Sequence, residues 1–208
     1  MSFHPPKLYA ITDGRLSGLS HADQIARLAA GGATLIQLRE KYLSSGTFYQ
    51  EAEVALLVAR QLGVKVIIND RVDLALALHA GGVHLGQDDI PPEAARKLLG
   101  PAAIIGLSIH NAKQAKEAKG LPIDYLAAGP IFPTRSKENP DPVLGLDGLR
   151  DIRRTVGSIP LVVIGGINLE HVRAVLEAGA DSVAVIGALL SKPADIEGST
   201  RSFLSRAE

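Results

Sequence analysis

The sequence predicts an α/β fold, a (β/α)8 TIM barrel occupying residues 1–208 as a single domain. Three observations predict it. Eight short apolar runs alternate with eight segments of helical character. No Gly-x-Gly-x-x-Gly turn follows the first run, which counts against an open doubly wound sheet. No linker or shift in composition marks a second domain.

Leu8-Tyr9-Ala10-Ile11 is the first expected strand. Ser20 caps the following helix with Asp23 three residues on; Ile25, Leu28 and Ala29 form its inner stripe and Gly31-Gly32 ends it. Leu35 to Leu38 is the second strand. Thr47 is expected to cap the next helix, with Gln50 in the capping-box position and Phe48, Ala52, Ala55, Leu56, Ala59 and Leu62 at helical spacing before Gly63. Val64 to Ile68 is the third strand, Leu74 to Leu78 fall in the third helix, and Gly81-Gly82 leads to a fourth strand at Val83.

Pro91-Pro92 suits the first turn of a helix ending at Gly100. Ala103 to Leu107 is the fifth strand, Asn111 caps an Ala-rich helix closed by Gly120, and Tyr125 to Ala128 is the sixth strand. The segment from Gly129 to Gly145 has no periodicity and holds four prolines, a length that marks a functional loop or a disordered segment. Leu149, Ile152 and Val156 mark the sixth helix, and Leu161 to Ile164 the seventh strand. Asn168 is expected to cap a helix through Leu169, Val172, Val175 and Leu176, and Ser182 to Ile186 is the eighth strand. The tail after Pro193 reads as weakly helical, interrupted by Gly198-Ser199.

Composition narrows the functional classes. Hydrophobic residues make up 46%, with four Tyr, four Phe and no Trp, so the core is aliphatic. Acidic and basic residues balance at 22 each, so no global charge argues for nucleic acid or an anionic membrane. Without cysteine there are no disulfides, thiolate metal sites or Cys nucleophile, which fits the cytosol. No run approaches a membrane span, and the start of the chain lacks a basic region followed by an apolar one. A soluble cytoplasmic protein is the expectation.

A barrel of this kind builds its site at the carboxyl ends of its strands, and there the polar residues collect. Gln37, Arg39 and Lys41 alternate past the second strand and share one side, a donor set suited to a diphosphate. Asp70 and Asp89 follow successive strands. Capping accounts for either alone, but the pair at matching ends points to a divalent metal. Magnesium takes one or two carboxylates together with phosphate oxygens and water. Gly165-Gly166 and Ile186-Gly187, after the last two strands, expose backbone N–H groups where such barrels hold phosphate. The expectation is one mouth with a metal-bound diphosphate and a separate monophosphate, from two phosphorylated substrates or one long one. His110, after Ser108 at a strand end, is a candidate for proton transfer. His4, His21 and His171 read as surface or first-turn residues, His79 as a late-helix residue, and His84, Tyr125 and Phe132 as packing.

These motifs resemble the thiamine-phosphate synthase family. The matching runs are Gln37-Leu38-Arg39-Glu40-Lys41, Ile68-Asn69-Asp70-Arg71 with Asp73, His84 to Asp89, Gly106 to His110, Gly129 to Lys137, and Ile164-Gly165-Gly166-Ile167. The resemblance implies a transferase that joins an aminopyrimidine diphosphate to a thiazole phosphate and releases pyrophosphate, with Mg2+ as cofactor and these small molecules, rather than nucleic acid or membrane, as its partners. It places Gln37, Arg39, Lys41, Asn69, Ser108 and Lys137 on the pyrimidine diphosphate, with Glu40 in the same substrate-binding motif. Arg39, Lys41, Ser108 and Lys137 are the catalytic candidates. Asp70 and Asp89 would hold the metal, and Thr134, Ser136, Gly166, Ile186 and Gly187 would meet the thiazole phosphate. The family commonly has Thr where Ser136 stands and Ser where Gly187 stands, so at Gly187 only a backbone N–H is offered. The rival readings are a thiazole tautomerase of the same fold, acting through His110, and a non-catalytic phosphate-binding barrel. The tautomerase needs neither Lys41 nor the aspartate pair.

Overall fold

Runs such as Val66-Ile67-Ile68 and Leu161-Val162-Val163 are apolar on both faces, as a strand covered by helices outside and by a barrel core inside requires. The computed structural model, which describes residues 3–134 and 141–208, shows that arrangement. Its strands are β1 (Leu8–Ile11), β2 (Leu35–Leu38), β3 (Lys65–Asn69), β4 (Gly82–Leu85), β5 (Ile104–Ile109), β6 (Tyr125–Ala128), β7 (Leu161–Val163) and β8 (Ser182–Val185). Each pairs in parallel with the next, and β8 returns to β1 with Tyr9 opposite Ala184, closing the barrel in sequence order. Closure leaves no free sheet edge.

The helices are α1 (Gly14–Ser17), α2 (His21–Ala30), α3 (Ser45–Gln61), α4 (Val72–Ala77), α5 (Pro92–Leu99), α6 (Ala112–Glu117), α7 (Gly145–Val156), α8 (Val172–Glu177), α9 (Gly187–Leu190) and α10 (Ile196–Ala207). Ser20 caps α2 by accepting the Asp23 N–H at 3.1 Å, and Asn111 caps α6 by accepting the Gln114 N–H at 2.9 Å. Three expectations are corrected. Ser44, rather than Thr47, caps α3: its hydroxyl accepts the Thr47 N–H, while the Thr47 hydroxyl lies 2.9 Å from it inside the first turn. Asn168 heads a turn, its carboxamide oxygen accepting from the Glu170 and His171 N–H groups, and α8 begins only at Val172.

The third correction is the tail, where Gly198-Ser199 does not break α10. Ile196, Thr200, Phe203 and Ala207 are buried at helical spacing, and that burial outweighs the local preference of glycine. The helix lies so close to α2 that a Cβ on Gly31 would come within 2.7 Å of the Glu197 carbonyl oxygen. Two short helices went unforeseen, α1 behind β1 and α9 behind β8.

Strand alternation sends one set of side chains to the barrel interior. Gln37, Asn69, His84, Ser108 and Ala127 belong to it, and two residues further along Arg39, Gly86, His110 and Gly129 follow at the rim. The inner wall of the carboxyl end is therefore polar, although the strands around it are buried.

Candidate active site

The mouth is a cavity of about 630 Å³, a size suited to a small-molecule ligand. Past β2 the chain keeps alternating, so Gln37, Arg39 and Lys41 line it. Arg39 is fixed twice: its guanidinium donates to Asp13 at 2.8 Å, and its backbone N–H donates to the Thr12 hydroxyl at 3.2 Å. Glu40 is out of phase with these residues and does not line the cavity. Burial works against its charge, but the Tyr42 and Leu43 N–H groups and His21 hold its carboxylate below the ordinary value. Glu40 shapes the loop that carries Lys41. His21 is a first-turn residue, opening α2, and it is buried, with Nδ1 2.9 Å from the Thr12 hydroxyl.

β3 ends in Asn69 and Asp70. Asn69 lines the cavity and is buried, and its Nδ2 has no hydrogen-bond partner among the described residues. Asp70 adopts φ +60, an uncommon conformation for a residue with a side chain, although Asp tolerates it better than most. Backbone strain of this kind collects at functional sites. Its carboxylate meets the Lys41 ammonium and also contacts the Asp89 carboxyl group. Burial, and after it the neighbouring Asp70, push the Asp89 carboxyl above its usual value, against the pull of the Gly86 N–H and Lys41. The Gly86 N–H donates to Asp89 at 2.7 Å and fixes its orientation. Two adjoining carboxylates that draw in a lysine are a site short of positive charge. Their hard oxygens and their number suit a magnesium ion completing its shell with phosphate and water.

Opposite this pair, the peptide before Pro130 is cis, and the Ile131 and Phe132 N–H groups donate to the Ile164 and Gly165 carbonyls. Gly166 has φ +65, and a Cβ there would lie 2.4 Å from the Pro133 carbonyl oxygen. Both facts require glycine. Thr134, Gly166, Ile186 and Gly187 line this side of the mouth. Ser136 and Lys137 lie outside the described residues. Phe132 stacks on His171, with ring centroids 3.9 Å apart, so Phe132 is a packing residue, while His171 also contacts the Gly166 carbonyl at 3.0 Å.

On the floor, Ser108 contacts His84 at 2.9 Å, and the other His84 nitrogen contacts the Tyr125 hydroxyl at 2.9 Å. The reading of His84 as a plain packing residue is therefore corrected. Strand parity was the signal for it, since His84 is in phase with Gly86. Burial lowers the His84 pKa to about 4, with the Asp70 charge opposing the shift. An unfolded chain binds this proton below about 6.5 and the folded one only near 4, so the stabilising contribution is complete above 6.5 and disappears as pH falls through that window. Urea unfolding at pH 7 and pH 4.5 should show a loss about 2–3 kcal/mol larger for the wild type than for His84→Gln.

The comparisons agree with this geometry. The family described as thiamine monophosphate synthase matches residues 8–189. A thiamine-phosphate synthase of Koribacter versatilis is 49% identical over 193 residues, covering 90% of each chain. The corresponding protein of Syntrophomonas wolfei is 45% identical over 195 residues, covering 93% of this chain and 92% of that one. The solved thiamine phosphate pyrophosphorylase of Pyrococcus furiosus superposes with a TM-score of 0.86 at 38% identity, covering 97% of this chain and 95% of that one. A match of that length, with relatives so similar over nearly the whole sequence, means that the chain belongs to the thiamine-phosphate synthase family.

Proposed function

We propose that the protein joins 4-amino-5-hydroxymethyl-2-methylpyrimidine diphosphate to hydroxyethylthiazole phosphate, yielding thiamine phosphate and pyrophosphate in the cytoplasm. The observation that carries this reading is the Asp70–Asp89 pair beside Lys41 and Arg39, facing the Gly166 and Gly187 backbone across one mouth. The carbon–oxygen bond between the pyrimidine methylene and the diphosphate breaks, and its electron pair leaves with pyrophosphate. The thiazole nitrogen then supplies the pair for the new carbon–nitrogen bond. The aminopyrimidine ring carries the positive charge between the two events, so no covalent enzyme residue is required.

The protein's share is charge and alignment. Arg39 and Lys41 bind the diphosphate and offset the charge that grows on it as it departs. Asn69 Nδ2 gains the acceptor it lacks, and Ser108 holds the pyrimidine end. Lys137 joins the diphosphate set in this reading, and Thr134, Ser136, Gly166, Ile186 and Gly187 hold the thiazole phosphate. Asp70 and Asp89 are the residues to hold magnesium, which when bound neutralises phosphate charge and assists departure of the leaving group. Pyrophosphate release measured with both substrates, and with each omitted, tests the reading. Release should require both; release from the pyrimidine diphosphate alone at the full rate would overturn it.

A further inference from the structure

A continuous hydrogen-bond chain crosses the floor of the mouth. Gln37 Nε2 donates to the Tyr9 hydroxyl at 3.2 Å, and the Tyr9 and Tyr125 hydroxyls meet at 3.0 Å. Tyr125 contacts His84 Nδ1 at 2.9 Å, and His84 Nε2 contacts the Ser108 hydroxyl at 2.9 Å. Gln37, Tyr9, His84 and Ser108 line the cavity, whereas Tyr125 is fully buried and lines none of it. Its ring stacks at 23° to His84 and meets Tyr9 edge-on at 82°. Gly106, in register with both His84 and Tyr125, makes room for it: a Cβ there would lie 2.1 Å from Tyr125 Cζ.

Counting protons gives this chain a direction. An amide nitrogen only donates, so Tyr9 accepts from Gln37; Tyr9 uses its own proton within the chain by donating it to Tyr125, the sense in which each hydroxyl both accepts and donates. Tyr125 then commits its own proton to His84 Nδ1. A neutral imidazole that accepts at Nδ1 carries its hydrogen at Nε2 and donates it to Ser108. Ser108, already accepting, keeps its O–H for the cavity, while Gln37 keeps its carbonyl oxygen. With every hydroxyl proton used inside the chain, the one alternative has every link reversed and the Gln37 amide turned over. Burial supports the scheme, since it keeps His84 neutral and raises both phenols above their ordinary range.

We propose that Tyr125 is a positioning residue for the transfer reaction: through this chain it locks the hydrogen-bond sense of Gln37 to that of Ser108, so that the mouth offers a heterocyclic substrate an acceptor at Gln37 and a donor at Ser108. The inference rests on the transferase reading for its kinetic consequence and on the chain alone for its spectroscopic one. In 15N-labelled full-length protein at neutral pH, His84 is the Nε2–H tautomer. Gln37→Glu, whose carboxylate can only accept from Tyr9, flips His84 to the Nδ1–H tautomer. Tyr125→Phe cuts the chain, so that adding Gln37→Glu no longer moves His84.

Tyr125→Phe also raises KM for the pyrimidine diphosphate about tenfold, the loss of one hydrogen bond's worth of orientation, and leaves KM for the thiazole phosphate unchanged. A merely structural role would disturb both KM values. An Nδ1–H tautomer in the wild type, which needs no variant to observe, overturns the proposal. So does an unmoved tautomer in Gln37→Glu, or wild-type kinetics in Tyr125→Phe. A wild type that releases no pyrophosphate overturns the transferase reading and the positioning role with it; the other outcomes, with wild-type turnover intact, overturn the positioning role alone.

Discussion

Asp70→Asn is expected to lower pyrophosphate release by about a hundredfold or more without lowering the unfolding midpoint. Asn is the informative substitution because, like Asp, it tolerates the left-handed backbone at φ +60, so the turn is preserved. It removes charge where charge is costly: Asp70 adjoins an Asp89 carboxyl already raised by burial and by this neighbour. The lost ion pair with Lys41, whose side chain is 44% exposed, contributes little to offset that relief. Activity and stability should therefore separate, as they do where a site keeps repulsive charges for function. Added magnesium should raise the midpoint of the wild type and not of the variant, and excess chelator should bring the wild type down to the variant's rate. Asp89→Asn should behave like Asp70→Asn, whereas the exposed neighbour Asp88 should tolerate the same change with most turnover retained. Full activity of the wild type in chelator would sink the magnesium assignment.

Strand order and the rim of the mouth were legible because they depend on local periodicity. Alternation past β2 separates Gln37, Arg39 and Lys41, which line the mouth, from Glu40, which does not, without any knowledge of the fold. The floor was illegible for the opposite reason. Tyr9 and Tyr125 meet across 116 positions of sequence, and His84 and Tyr125 across 41. Nothing in the neighbourhood of a buried strand histidine shows that two hydroxyls will find it. Parity places all three side chains inside the barrel, but only the closed sheet brings their polar atoms together.

The misplaced α3 cap shows a smaller ambiguity: Ser44 and Thr47 are both capping residues three apart, and each hydroxyl was a candidate for the same N–H. For α10 the difficulty was tertiary. Glycine and serine weaken a helix by propensity, and the burial that restores it comes from α2 and the barrel wall, which are remote in sequence.

Lys41→Ala and His110→Ala together decide between transfer and tautomerisation. If the site handles a departing diphosphate, removing Lys41 should cost about a hundredfold in kcat, because its charge is of most use as the leaving group separates. His110 has a different duty in the geometry. Its Nδ1 lies 2.6 Å from the Gly129 carbonyl oxygen, which can only accept, so that nitrogen carries the hydrogen; the Asp141 carboxylate lies 3.5 Å from the same atom. The ring thereby braces the start of the loop that meets Gly165 and Gly166. His110→Ala should release that brace and reduce kcat/KM about tenfold, chiefly through KM for the thiazole phosphate, with the chemical step largely preserved. Single-turnover measurement separates the two effects. The reverse order, with His110→Ala inactive and Lys41→Ala unimpaired, would mean that proton transfer at His110 carries the reaction and that the charge beside Asp70 serves no leaving group.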